Sequence, residues 1–345
     1  MKHIVEKCLA WALPIIFLPL MFTGCVDEDE YPDSPRGNME ALWRIIDEHY
    51  CFLDLKKAEY GVDWNEVHAR YSVRVNDGMS QKQLFEVLCD MLAELHDGHV
   101  NIYTSFDLGR EWSWQEDYPT NLSDTLLRRY LGTDYHISNG MYYRVLDDNI
   151  GYVRYSSFSN ELGDGNLDEV LLALAPCRGL IIDIRDNGGG LLTSAEKFAA
   201  RFTNKKLLVG YMQHKTGKGH NEFSPLEEQW LEPAKAVRWQ KGVAVLTNRG
   251  VFSAANEFVK YMKCCPKAII VGDHTGGGAG MPFSSQLPNG WSIRFSACPM
   301  YDSNKNSTEK GIEPDYKASL ATEDILRGED TIIETARRLL IQSVK

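Results

Sequence analysis

The chain has 345 residues, of which 43% are hydrophobic and 25% are charged, and its formal net charge is -11. This composition is that of a globular protein long enough for one large or two modest domains. No basic stripe with interleaved aromatic residues is present, so we expect no nucleic-acid partner. The acidic charge by itself indicates no other partner.

The first 24 residues have the pattern of a bacterial lipoprotein signal peptide. Lys2 and Lys7 precede an apolar run that is short for a membrane span and ends in FTGC. Small residues directly before Cys25 predict that this cysteine becomes the lipidated first residue; an ordinary secretory signal with an incidental cysteine is the alternative. Residues 25–36 are acidic and contain proline, which predicts a tether between the membrane and the folded domain.

These features predict an exported envelope lipoprotein in the outer membrane, on its periplasmic side or at the cell surface. Six other cysteines remain after the signal, and their apolar neighbours predict buried free thiols. No C-x-x-C spacing indicates structural zinc, and a disulfide that involves Cys264 or Cys265 stays open.

Residues 37–104 predict a helical subdomain, because apolar residues recur there at helical intervals. Asp63 is a plausible N-cap, and Ser80 and Gln83 have the spacing of a capping box. Residues 105–137 are polar and aromatic, which predicts a linker or lid made of loops with one short helix.

Residues 138–345 alternate between strand and helix patterns. MYYRVL and IGYVRYSSF predict a hairpin, and a second hairpin is expected around the Pro-Asn-Gly of FSSQLPNGWSIRFSA. GLIIDIR, KLLVGYM, VAVLTN and AIIVG predict strands separated by helices, and EDTIIETARRLLIQSV predicts a final helix. Strands that alternate with helices favour a mostly parallel sheet, so the predicted fold class is α/β.

Two motifs follow buried strands, where α/β proteins place their sites. Ser253 in VLTNRGVFSAANEF begins a predicted helix, where serine is a favoured N-cap but is also well placed as a nucleophile beside the helix amides. LIIDIRDNGGG ends in three glycines whose amides can approach a ligand closely, and it matches neither common nucleotide-binding motif.

Two further motifs carry titratable side chains. LAELHDGHVNIY contains His96, Asp97 and His99, which could suggest a metal-dependent hydrolase, but the glycine turn breaks the helical face and no further ligand set is evident. We interpret His99 as a candidate general base and His96 as solvent-facing or capping. Glu309 in STEKGIEPDYKA is either a solvated carboxylate or one that orients an imidazole.

A serine, a histidine, a carboxylate and glycine amides form a set typical of acyl transfer. The stretches LHDGHV, GLIIDIRDNGGG, VLTNRGVFSAANEF, IIVGDHTGGGAG and EKGIEPD occur in the order of the S41 peptidases. Over roughly residues 37–330 the chain resembles this family of C-terminal processing or tail-specific proteases, most closely its tricorn-protease-core branch. The resemblance implies a ClpP/crotonase-like catalytic domain, no metal or cofactor, and a peptide or unfolded protein substrate that adds a strand to a sheet edge.

The resemblance also implies a role for each matching residue. Ser253 matches the nucleophile, His99 its base, and Glu309 the residue that orients or supports the histidine. The other implied roles are the oxyanion amides, at Gly189 with Gly188 next to it and at Ala254, and the substrate-binding residues Gly277, Gly278 and His274, of which the last is a fallback base.

Two features depart from the processing-protease branch. Residues 274–280 contain no lysine, which disfavours a Ser–Lys dyad, and the segment before the catalytic strands is too short for a PDZ domain. The predicted function is a serine peptidase that hydrolyses peptide bonds in exported proteins or peptides. The alternative is a catalytically inactive S41-fold protein that binds a peptide or a small hydrophobic ligand.

Overall fold

The structure is a computed structural model that describes residues 31–113 and 116–342. The predicted signal peptide, Cys25 and most of the predicted tether lie outside the described residues. Within the described ranges, no helix is both long enough and apolar enough to cross a bilayer.

The described residues form helices and strands that we number separately in chain order. The helices are α1 (Pro35–His49), α2 (Leu53–Tyr60), α3 (Trp64–Ser72), α4 (Gln81–Ala93), α5 (Asp124–Leu131), α6 (Asp164–Ala173), α7 (Leu192–Ala199), α8 (Ala254–Cys264), α9 (Thr322–Arg327) and α10 (Thr331–Gln342). The strands are β1 (Asn101–Tyr103), β2 (Leu108–Arg110), β3 (His136–Ser138), β4 (Met141–Val145), β5 (Ile150–Tyr155), β6 (Gly179–Asp183), β7 (Leu207–Met212), β8 (Glu227–Leu231), β9 (Val243–Thr247), β10 (Ala268–Gly272), β11 (Gly280–Gln286), β12 (Ser292–Tyr301) and β13 (Tyr316–Lys317).

Three of the first four helices, α1, α3 and α4, begin at side chains that satisfy their free amides. Asp63 accepts hydrogen bonds from the backbone at the start of α3, and Ser80 and Gln83 form a capping box at the start of α4. The apolar faces of these helices share a core with Ile293 and Phe295 of β12. The helical region is therefore packed directly against the sheet that contains β12.

A seven-stranded sheet has the order β13-β10-β9-β6-β5-β4-β3. It is parallel from β13 to β5, and β4 and β3 add an antiparallel hairpin. Leu180 and Ile182 of β6 pack on one face with residues of α6, α7 and α8, whereas Ile181 packs on the other face with α10. Burial on both faces explains why these strands are continuous apolar runs in the sequence. The predicted α/β fold class is confirmed.

A second sheet is antiparallel and has the order β2-β1-β12-β7-β8, with β11 paired to β12. The strand predicted at KLLVGYM is β7, and it belongs to this sheet rather than to the parallel one. A cleft lies where the loops of the parallel sheet face β1, β2 and β12.

Candidate active site

Ser253 lies at the junction between β9 and α8, directly before the first helical residue. Its backbone has φ 56° and ψ -124°, and its hydroxyl makes no capping hydrogen bond. Its N–H donates to the carbonyl oxygen of Gly277 at 2.8 Å. A positive φ is unfavourable for a residue with a side chain, so the surrounding backbone holds Ser253 in this conformation. The hydroxyl is consequently left available for chemistry.

His99 reaches Ser253 from the turn that follows α4. Its Nε2 lies 2.9 Å from the Ser253 Oγ, and its ring packs against Phe252 with a centroid distance of 4.7 Å. The side chain is nearly inaccessible, with 3% of the residue exposed. The structure therefore brings together the predicted nucleophile and the predicted base, which are 154 positions apart in the sequence.

Asp97 holds the turn that carries His99. One of its carboxylate oxygens accepts a hydrogen bond from the His99 backbone N–H at 2.7 Å. The other accepts hydrogen bonds from the Tyr50 hydroxyl and the Ser296 hydroxyl, each at 2.9 Å. Because Tyr50 follows the last residue of α1 and Ser296 belongs to β12, this buried carboxylate fixes the turn both to the helical region and to the antiparallel sheet. Asp97 was considered at the sequence level only as a metal ligand, and this supporting role was missed.

Burial lowers the pKa of His99 to about 4, and the nearby charge of Arg294 lowers it further, whereas Asp97 acts in the opposite direction. The imidazole is therefore neutral at physiological pH and can accept a proton from Ser253. Within the described residues, His99 Nδ1 has no hydrogen-bond partner.

Glu309 lies in a buried polar cluster and makes no hydrogen bond to His99 among the described residues. Its Oε2 accepts a hydrogen bond from the Ala279 N–H at 2.7 Å, and its Oε1 lies 3.8 Å from the Lys56 Nζ. Burial raises its pKa to about 8; the charge of Asp97 raises it further and Lys56 opposes the rise. The direct orienting contact that the resemblance implies for Glu309 is thus absent here, because the carboxyl group is engaged elsewhere.

The triple-glycine turn after β6 lies against the nucleophile. Gly189 has φ 95°, and a Cβ built there would lie 2.8 Å from the Ser253 Cβ, so the close approach requires glycine. The Gly189 N–H donates to the Asn187 Oδ1 at 3.0 Å, which differs from the free oxyanion donor expected from the sequence. The amides of Gly188 and Ala254 have no hydrogen-bond acceptor within the described ranges. These two amides therefore remain available for an oxyanion.

Asn187 is a supporting residue that the sequence reasoning missed. Its side-chain amide donates to the Tyr155 carbonyl at 3.0 Å while its oxygen accepts from Gly189, and its own carbonyl accepts from Phe252 N–H at 3.0 Å. Asn187 thereby links the glycine turn to β5 and to the residue before Ser253. An asparagine that precedes a glycine run is a common turn signal and could have indicated this role.

The predicted substrate-binding residues take other positions. Gly277 holds the Ser253 backbone, and a Cβ at Gly278 would clash with the aromatic ring directly before the nucleophile. His274 Nδ1 lies 2.8 Å from the Thr275 carbonyl oxygen. None of the three is among the described residues that line the cleft at Ser253. Gly277 and Gly278 therefore support the backbone around Ser253, whereas His274 makes its contacts elsewhere.

His96 also points away from the nucleophile, with its ring 4.6 Å from the ring of Tyr60. Among residues 31–113 and 116–342, no group of three or more His, Cys, Asp or Glu side chains is arranged to hold a metal ion. The six cysteines of these ranges are free thiols.

Ser253 and His99 open onto a cleft of about 380 Å³. A strained serine at a helix N-terminus, a neutral buried histidine and free amides beside it define a serine–histidine site for acyl transfer on an α/β fold.

Comparison with known proteins identifies the family. Residues 149–318 match Peptidase family S41, and residues 31–93 match the Tricorn protease C1 domain. A candidate peptidase from Parabacteroides merdae, known from its crystal structure, is 51% identical, with a TM-score of 0.84 over 90% of this chain and 97% of that one. The chain belongs to the S41 peptidase family.

More distant relatives agree with this assignment. The carboxy-terminal processing protease CtpA of Bacillus subtilis is 24% identical over 182 residues, which are 52% of this chain and 37% of CtpA. Mature CPAF is 13% identical, with a TM-score of 0.68 over 89% of this chain and 96% of that chain, and shares the fold. The match spans about a third of the curated relatives' length.

The predicted resemblance to the S41 peptidases and the tricorn core is confirmed, and so is the predicted catalytic fold. The relatives are named proteases, which supports the peptidase interpretation over an inactive binding protein.

Proposed function

We propose that the protein is a serine peptidase that hydrolyses peptide bonds through an acyl-enzyme on Ser253. The observation that carries this proposal is the 2.9 Å contact between Ser253 Oγ and His99 Nε2 at the cleft. Membership of the S41 family supports the same chemistry.

In the proposed reaction, His99 Nε2 accepts the hydroxyl proton while Ser253 Oγ attacks the carbonyl carbon of the peptide. The oxyanion that forms is stabilised by the free amides of Ala254 and Gly188 and by the N-terminal end of the α8 dipole. The imidazolium then protonates the leaving amine as the C–N bond breaks. Water, deprotonated by His99, releases the acyl group and restores the hydroxyl of Ser253.

Fluorophosphonate labelling of residues 26–345 tests the proposed nucleophile. We expect the unmodified sequence to be labelled, Ser253→Ala to be unlabelled, and His99→Ala to be labelled roughly 10²–10⁴-fold more slowly. His96→Ala is the matched control, because His96 occupies the same turn but packs on Tyr60, and it should label normally. A folded protein that resists labelling would contradict the proposal.

We propose further that the substrates are exported proteins or peptides and that Cys25 anchors the enzyme to the bacterial outer membrane. The sequence FTGC and the acidic segment after it support this location. Metabolic labelling with an alkyne fatty acid should mark the unmodified protein and spare Cys25→Ala, while Cys298→Ala should be marked normally. A mature protein without lipid would contradict the anchor, and protease treatment of intact cells would distinguish the surface from the periplasmic face.

A further inference from the structure

One wall of the cleft carries two arginines that the proposed mechanism does not use. β1 lies between β2 and β12, and the register places Asn101 directly opposite Arg110 on one side and Arg294 on the other. Residues opposite each other on antiparallel strands project from the same face of the sheet. With about 4.8 Å between neighbouring strands, the two arginine backbones are roughly 10 Å apart. All three residues line the cleft at Ser253.

The described lining of the cleft offers these arginines no carboxylate. No Asp or Glu is among its described lining residues. Neither Arg110 nor Arg294 has an ion-pair partner within residues 31–113 and 116–342; Arg110 lies 5.9 Å from the Trp112 ring centroid. Arg110 is exposed, whereas Arg294 is half-buried. A half-buried guanidinium without a counter-charge is poorly satisfied, and a carboxylate matches its donors in charge and in geometry.

The positive charge is local to the cleft and close to the reacting atoms. The whole chain has a net charge of -11, so the two arginines are not part of a generally basic surface. The charge of Arg294 also contributes to the lowered pKa of His99, which places its influence at the catalytic base. A substrate group bound by these arginines would therefore lie near the scissile bond.

We propose that Arg110 and Arg294 bind a carboxylate of the peptide substrate and make the enzyme selective for acidic peptides. The carboxylate belongs either to an Asp or Glu side chain near the scissile bond or to the C-terminus of the peptide. The inference rests on the proposed peptidase function and specifies the substrate class of the same site.

Fluorogenic peptides that differ only in charge test this selectivity. Matched sets carry Glu, Gln or Lys at each position around the scissile bond, and each is made both as a free acid and as a C-terminal amide. We expect kcat/KM for the best Glu peptide to exceed that of its Lys counterpart by more than tenfold, mainly through KM. Selectivity that follows the side chain identifies an acidic residue, and selectivity lost on amidation identifies the C-terminus.

The variants Arg110→Gln, Arg294→Gln and the double variant assign the selectivity to the arginines. Each variant should lower the ratio of kcat/KM for Glu peptides to that for Lys peptides, and Arg110→Glu should shift the preference toward Lys peptides. The control is Arg178→Gln, which removes an exposed arginine at the opposite end of β6. Because Arg110 is exposed, its variants are expected to fold even if a variant of Arg294 does not.

Three results would contradict either the substrate inference or the peptidase proposal. Equal kcat/KM for Glu, Gln and Lys peptides, as acids and as amides, in an enzyme that labels at Ser253 would overturn the inference and leave the peptidase proposal intact. Selectivity that persists in folded Arg110→Gln and in the double variant would also overturn it. A folded enzyme that does not label at Ser253 would overturn the peptidase proposal itself.

Discussion

In the proposed reaction, the protonation of a single residue, His99, sets the pH range in which the site can act. Its pKa is lowered to about 4 by burial, with a further contribution from Arg294. The base is active when neutral, which is the state above its pKa. We therefore expect kcat/KM to be retained from pH 7 to about pH 5 and to fall as the pH drops through about 4. A pH profile of kcat/KM, with folding checked at each pH, measures this.

An acidic limb near the ordinary histidine pKa of about 6.5 would contradict this prediction. Arg294→Gln serves as an internal check, because loss of its positive charge should move the limb to higher pH. Arg178→Gln changes a residue directly before β6, at the end of the strand opposite the glycine turn, and should leave the acidic limb unchanged. The same shift has a stability consequence: the unfolded histidine binds a proton near pH 6.5, so stability should decrease as the pH falls from 6.5 to 4.

Glu309 provides a second prediction at the residue scale. Its pKa of about 8, raised by burial, means that it is largely protonated at neutral pH, and glutamine has nearly the same shape as the protonated form. We expect Glu309→Gln to label at Ser253 within a few-fold of the unmodified rate. Glu309→Ala should instead destabilise the fold by about 1–3 kcal/mol, because it leaves the buried Ala279 amide without its acceptor.

The measurements are fluorophosphonate labelling rates and urea unfolding of both variants. Protonation also predicts the direction of the pH effect: Glu309 destabilises the folded state as pH rises from about 4.5 to 8, and Glu309→Gln should reduce that loss. If Glu309→Gln labels as slowly as His99→Ala, Glu309 acts on the histidine after all, as its resemblance to the tricorn branch implies.

At the scale of elements, the contact between the glycine turn and α8 should be sensitive to one methyl group. Gly189 has φ 95°, and a Cβ there would lie 2.7 Å from the Phe252 carbonyl oxygen and 2.8 Å from the Ala254 nitrogen. We expect Gly189→Ala to displace the turn and to slow labelling of Ser253 by about 100-fold, equivalent to roughly 2.7 kcal/mol. Labelling kinetics and circular dichroism separate this effect from unfolding.

Gly188→Ala is the comparison, since a Cβ at Gly188 meets no atom within 4 Å and its φ is not in the positive range. A much smaller effect on labelling is expected there. Equal losses in the two variants would show that the close packing of Gly189 on Ser253 is not what positions the nucleophile.

Local signals predicted many elements correctly. The capping box at Ser80 and Gln83 and the N-cap at Asp63 lie where the sequence placed them, because capping depends on residues within one turn. The sheet to which β7 belongs could not be predicted, since an apolar strand pattern does not specify its partners. The wall of the cleft was missed for the same reason: Asn101 and Arg294 become neighbours only through the pairing of β1 with β12.

At the scale of the whole molecule, the resemblance to a family supplied what spacing could not. Ser253 lies between β9 and α8, whereas His99 lies in the turn after α4. Only the order of five family motifs predicted that the two residues act together. The hydrogen bonds of Glu309 and of Gly189 were not predictable in this way, because they depend on which buried partner lies nearest in the folded chain. Family motifs predict the reacting groups, whereas the supporting contacts have to be seen in the structure.

A buried ion-pair network joins the glycine turn that follows β6 to helix α10. Arg185, which is fully buried two residues before Asn187, donates to Asp183 at 2.6 and 2.9 Å. It also donates to Asp330 at 2.9 Å, and Asp330 in turn accepts hydrogen bonds from the backbone at the start of α10. The same arginine therefore holds the end of β6, from which the glycine turn departs, and the start of α10.

Arg185→Met should leave the buried Asp330 without its ion-pair partner and Asp183 with only Arg154, whose guanidinium lies 3.6 Å away, because methionine fills much of the volume but carries no donor. We expect a loss of about 3–5 kcal/mol in the free energy of unfolding, measured by urea denaturation. Lys206→Met is the matched control: it removes one partner of the exposed Lys206–Glu232 pair and should change stability by about 0–1 kcal/mol. Similar small losses in both variants would mean that the buried carboxylates take up protons or find other partners. The link between the glycine turn and α10 would then not stabilise the fold.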